Sequence, residues 1–116
     1  MQISNDVDKY LKYYIENICF LGKLQISAIK TMAEHKGQGA EYISCSFDPD
    51  DEDYREGYVT LCFWKPAVEQ DIIVFVRNKK FYDSLIRASN EFLQNEPQVK
   101  DELEKYLHKI EIELNV

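Results

Sequence analysis

Cysteine is scarce in this chain and widely scattered: Cys19, Cys45 and Cys62 form no CxxC pair. An odd, scattered set argues against a disulfide framework and against the usual spacings of a zinc site. It reads as reduced thiols in a cytoplasmic protein. Glycine is limited to 4 residues, so tight backbone cradles for phosphate are hard to build. There is no GxSxG, no Gly-rich phosphate loop and no cysteine in the context of a nucleophile. No catalytic residue is assigned; the expectation is a protein that is not an enzyme and uses no cofactor. The only histidines are His35 and His108. Without HxH or HExxH spacing neither is expected to bind a metal. His35 falls near a helix end, where it suits the dipole, and His108 falls on a helix surface.

Long hydrophobic runs are missing too. The longest, Ile72-Ile73-Val74-Phe75-Val76, has the length of a strand and falls far short of a bilayer span. Met1 to Asp6 is polar and acidic, with no signal-peptide pattern, so a cytoplasmic location is expected. Positive charge is in deficit: 14 Lys and Arg against 21 Asp and Glu leave a net charge of −7. Nucleic acids and anionic membranes both require Lys/Arg patches, so neither is an expected partner. Such a balance instead favours fast association with basic partners.

What is present is a chain of 116 residues, 45% hydrophobic and 30% charged. That is an ordinary globular balance and suits one domain over residues 1–116. Its most distinctive segment is Asp48-Pro49-Asp50-Asp51-Glu52-Asp53-Tyr54-Arg55-Glu56, with six of the 21 acidic residues and a single basic one. Chain reversal alone needs two to five residues. Like charges this close repel, so the loop is expected to be extended and solvated, a docking surface for something basic.

The periodicity around that loop predicts an α+β fold. Ser4, Asn5 and Asp6 are helix-starting residues, and Val7, Leu11, Tyr14, Ile15 and Ile18 follow at helical spacing. Gly22 weakens the pattern, which resumes with Leu24, Ala28, Ile29 and Met32 and ends before Gly37-Gln38-Gly39. One interrupted helix or a helix pair is expected, with Tyr10, Tyr13 and Tyr14 used for packing. Glu41 to Phe47 alternates, with Ile43, Cys45 and Phe47 on one face. Gly57 to Trp64 alternates as well, with apolar residues on both faces. Asp71 to Arg77 is a third strand, and the whole reads as a three-stranded antiparallel β-meander. Trp64 is read as buried packing, with a partly exposed interface anchor as the alternative. Asn78 is a candidate cap for a helix carrying Phe81, Leu85, Ala88 and Phe92. Pro97 suits the start of a last helix with Val99, Leu103, Leu107, Ile110 and Leu114.

The acidic loop invites a calcium reading. Asp48, Asp50 and Glu52 stand at positions one, three and five of an EF-hand count, but Asp53 replaces the required Gly and Val59 the distal Glu. An acidic regulatory or adaptor domain that binds calcium or a basic protein is therefore the alternative reading, not the leading one.

The order of motifs decides between them. The run Tyr42-Ile43-Ser44-Cys45-Ser46-Phe47, the acid-rich loop and Gly57-Tyr58-Val59-Thr60-Leu61 resemble the ribonuclease-toxin immunity proteins of contact-dependent growth inhibition (CDI) systems. Phe81-Tyr82-Asp83-Ser84-Leu85 and Phe92-Leu93-Gln94-Asn95-Glu96-Pro97, leading to a Lys/Glu-rich last helix, look like that family's closing pattern. The resemblance covers roughly residues 41–110; Trp64-Lys65-Pro66-Ala67-Val68 departs from it. It implies a cytoplasmic bacterial protein that binds and occludes one cognate toxin domain, typically a ribonuclease, without catalytic residues. A ribonuclease cleft is basic because its substrate is a polyanion. The residues expected to meet it are Asp48, Asp50, Asp51, Glu52, Asp53 and Glu56, with Tyr54 and Tyr58 as anchors.

Overall fold

Asp6 starts the first helix as the sequence suggests: its carboxylate accepts a hydrogen bond from the Lys9 N–H at 3.4 Å. The structure is a computed structural model that describes Met1 to Val116. Strand β1 (Gln2–Ile3) precedes α1 (Val7–Asn17), a short hairpin of β2 (Cys19–Phe20) and β3 (Lys23–Leu24), and α2 (Ile26–His35). Four strands follow, β4 (Gly37–Ala40), β5 (Ile43–Ser46), β6 (Tyr58–Phe63) and β7 (Ile72–Arg77). The chain closes with α3 (Asn78–Asn95), a 3₁₀ turn (Pro97–Val99) and α4 (Lys100–Leu114). No helix is long and apolar enough to cross a membrane.

The fold is α+β. The expected meander β5-β6-β7 is the middle of a wider sheet, with strand order β1-β7-β6-β5-β4. Two edges were not anticipated. The glycine segment read as a helix stop is strand β4, antiparallel to β5, and β1 pairs in parallel with β7. Gly37 is required there: a Cβ would sit 2.8 Å from the Cys45 carbonyl oxygen. The interrupted helix is a helix pair, broken where Leu21 and Gly22 turn the hairpin at positive φ.

The alternation of β5 to β7 puts two sets of side chains on opposite sides of the sheet. Ile43, Cys45, Phe47, Val59, Leu61, Phe63, Val74 and Val76 face the helices and join one apolar cluster. Into it α1 delivers Tyr10, Leu11 and Tyr14, α3 Phe81 and Leu85, and α4 Leu103, Leu107, Ile110 and Leu114. Each fully buried side chain of this size contributes about 1.5–3 kcal/mol. The tyrosines serve this packing: the rings of Tyr10 and Tyr13 lie 5.1 and 5.4 Å from that of Phe63. The Tyr14 hydroxyl donates to Gln38 Oε1 and lies 3.1 Å from Cys45 Sγ.

Asn78 does not cap α3. Arg77 holds that position, and Asn78 Nδ2 donates instead to the Leu114 carbonyl, tying α3 to the end of α4. Pro97 opens the 3₁₀ turn that leads into α4.

Candidate functional site

The side of the sheet away from the helices carries Ser44 and Ser46 from β5, Tyr58, Thr60 and Cys62 from β6, and Ile73, Phe75 and Arg77 from β7. The register aligns Ser46 with Thr60 and Phe75, Ser44 with Cys62 and Ile73, and Tyr58 with Arg77. No helical core residue lies on this side, yet Thr60 is only 2% exposed. What covers it is the acidic loop.

That loop is neither extended nor free, and this corrects the sequence expectation. Asp48 N–H donates to Ser46 Oγ at the exit of β5. Two turns follow, with Asp51 N–H on the Asp48 carbonyl and Tyr54 N–H on the Asp51 carbonyl. The side chains of Asp48 and Asp51 close these turns by accepting from the N–H groups of Asp50 and Asp53 at 2.9 and 3.0 Å. The Thr60 hydroxyl then donates to the Asp53 carbonyl at 3.0 Å. Local hydrogen bonds and these ties overcome a repulsion that water and salt already weaken.

Arg55, the single cation of the segment, pairs with none of its acids. Its guanidinium lies 4.8 Å from the ring centre of Phe75 and 5.2 Å from that of Tyr58. Arg77 approaches Tyr58 at 5.0 Å, and the two rings meet edge to face. Cation–π contact thus pins the end of the loop to the sheet. Of the expected anchors, Tyr58 is held in this stack and half-buried, whereas Tyr54 is exposed.

The six carboxylates are left without a cationic partner. Asp50, Asp51, Glu52 and Glu56 are exposed, Asp48 and Asp53 half-buried. None is among the residues that form ion pairs. Nor do they converge: no group of three or more His, Cys, Asp or Glu is placed to hold a metal ion. Their field reaches Cys62 beneath the loop. Burial, then the charges of Asp53 and Asp51, push its thiol up to about 11. Burial pushes the Cys45 thiol up to about 12.

Trp64 is 38% exposed, which departs from buried packing and agrees with the alternative of partial exposure. Its backbone N–H donates to the Tyr42 carbonyl at 2.8 Å, and Tyr42 is exposed too. Both continue the alternation of the helix-free side, about 13 Å along the strand from Thr60 beneath the acidic loop, at a strand's rise per residue. The sequence reading named the acids with Tyr54 and Tyr58; it did not join Arg55, Thr60 and the Tyr42–Trp64 pair to them as one face. The outward set Tyr58, Thr60, Cys62, Trp64 was the available signal.

This face has the elements of a protein-docking surface: a charged end, exposed aromatics and a rigid sheet beneath. Residues 6–107 match the family model for CDI immunity proteins. The chain belongs to the CDI immunity protein family. As a CDI immunity protein it acts toward a cognate toxin. No curated protein and no solved structure matches the chain.

Proposed function

We propose that this immunity protein binds and neutralises a basic ribonuclease toxin domain, in the cytoplasm and as one domain, through the helix-free face of its sheet. Asp48, Asp50, Asp51, Glu52, Asp53 and Glu56 meet the cationic cleft that would otherwise take RNA. Tyr54, on the loop, and Trp64 with Tyr42, at the far end, are the anchors; Tyr58 holds the loop in place. The protein performs no reaction: occupancy of the cleft is the whole effect.

The observation that carries this reading is a loop tied to a sheet while its six carboxylates have no cationic partner. Holding like charges together is unfavourable in the free protein and becomes favourable against a basic surface. Because the loop is already ordered, binding does not have to order it. Complementary charge then accelerates encounter and selects the partner. Long residence comes from the aromatic groups, since exposed ion pairs contribute only about 0–1 kcal/mol each.

The test is binding kinetics against the cognate toxin domain, at two salt concentrations. Asp50→Asn, Asp51→Asn, Glu52→Gln and Asp53→Asn together should slow association and flatten its salt dependence. The amide oxygens preserve the turns. Trp64→Ala should chiefly speed dissociation. A folded loop variant that associates at the wild-type rate at both salts would remove the acidic loop from the interface. The same toxin should degrade RNA, and one equivalent of this protein should stop it; a toxin without nuclease activity overturns the ribonuclease assignment.

A further inference from the structure

The β2–β3 hairpin presents the most exposed large apolar side chain of the molecule. Leu21 is 87% exposed and its neighbour Phe20 66%. Leu21 has φ 52° and Gly22 φ 77°. Such a two-residue turn requires positive φ at both positions, and Asn, Asp or Gly is preferred at the first. For a residue with a Cβ the left-handed conformation is unfavourable, and at this exposure Leu21 gains no packing to offset it. Folding alone therefore gives no reason for leucine here.

The same hairpin forms one wall of a groove of about 890 Å³ between α1 and α3. Ile15, Leu24 and Phe92 supply its apolar lining, and Glu16 and Glu91 are among its acids. Beside the tip stands Lys23, held only by a 3.9 Å pair with Glu96 and largely solvated. One surface thus carries an apolar, cationic knob next to an apolar, acidic hole. A two-fold axis needs this arrangement, because each copy then offers its knob to the other's hole.

We propose that the protein forms a weak two-fold dimer in which the Phe20–Leu21 tip of each copy seats in the α1/α3 groove of the other, with Lys23 facing Glu16 and Glu91. Two such insertions bury on the order of 1,000 Å², the size of weak, transient interfaces. The dimer leaves the proposed toxin face free. The N–H of Asn78, at the start of α3, donates to Gly57 at the acidic loop, while Glu96, just past its end, meets Lys23. The 18 residues of α3 separate the two regions by about 27 Å.

Sedimentation equilibrium of the full chain, from low micromolar to submillimolar concentration, tests this. The wild type should pass from monomer toward twice the mass. Leu21→Asn suits the turn better than leucine yet removes the knob, so it should keep the melting temperature and raise the dimer Kd by roughly tenfold or more. Glu91→Lys, on the wall of the hole, should weaken the dimer in the same way. A wild type that stays monomeric throughout overturns the proposal, as does a Leu21→Asn variant that dimerises like the wild type.

Discussion

The hydroxyl of Thr60, in the middle of β6, donates a hydrogen bond to the backbone carbonyl of Asp53, 3.0 Å away. This single contact joins the most charged segment of the chain to one of its most buried polar side chains. With the Ser46 and Arg55 contacts, it makes the acidic segment a fixed part of the helix-free face.

Thr60→Val keeps the shape of the side chain and removes the donor. It should cost about 1 kcal/mol in denaturant titrations, the usual net value of such a bond. It should also speed hydrogen exchange at the N–H groups of Asp51 and Tyr54, which close the loop's turns. Unchanged exchange at both would mean that Thr60 does not hold the loop.

Tyr54 and Tyr58 should separate cleanly. Tyr58→Ala dismantles the stack with Arg55, Arg77 and Phe75 and should destabilise the fold by about 1–2 kcal/mol, less than a fully buried aromatic. Tyr54→Ala, at an exposed site, should stay within about 0.5 kcal/mol of the wild type and act on toxin dissociation instead. Melting curves and dissociation rates read the two effects; equal destabilisation by both variants would contradict this division of roles.

Alkaline pH probes the loop from below. The Cys62 thiol lies at about 11 in the folded protein against an ordinary 9.0, raised by burial and then by Asp53 and Asp51. The native state holds this proton more tightly than the unfolded one. Its contribution to stability is therefore complete below pH 9 and is lost as pH climbs from about 9 through 11. Cys62→Ala should accordingly soften alkaline destabilisation. Asp51→Asn with Asp53→Asn should shift the onset of Cys62 alkylation to lower pH. An onset unaffected by the two amides would argue against the loop's position over the sheet. Cys62 and Cys45 should also remain unpaired in the native protein, because adjacent strands project them to opposite sides of the sheet.

Gly37→Ala should cost about 1–3 kcal/mol, as overpacking does. Its Cβ would meet the Cys45 carbonyl at 2.8 Å, and that oxygen belongs to the neighbouring strand. Thermal unfolding checks this. Gly22→Ala meets no atom and suffers only its positive φ, which separates a packing effect from a backbone one.

The amino-acid sequence by itself determined the helical segments at both ends, the three central strands and which of their sides is apolar, while leaving open whether the first segment is one interrupted helix or two. In each case several side chains repeat at 3.6 or 2 residues, and burial acts on that repeat. Composition and motif order also led to the immunity family, and the acids of residues 48–56 were plain in the sequence. Tertiary structure alone decided the rest. Strand β4 is too rich in glycine to show alternation, and β1 is two residues long; both exist because a neighbouring strand offers hydrogen bonds to them. The position of the acidic loop was illegible for a related reason. Its own residues predict repulsion and solvation, while what holds it lies elsewhere: Ser46 and Thr60 on β5 and β6, and Phe75 on β7, meeting Arg55. Only folding brings those groups beneath it, so charge was written locally and its presentation was decided by long-range contacts.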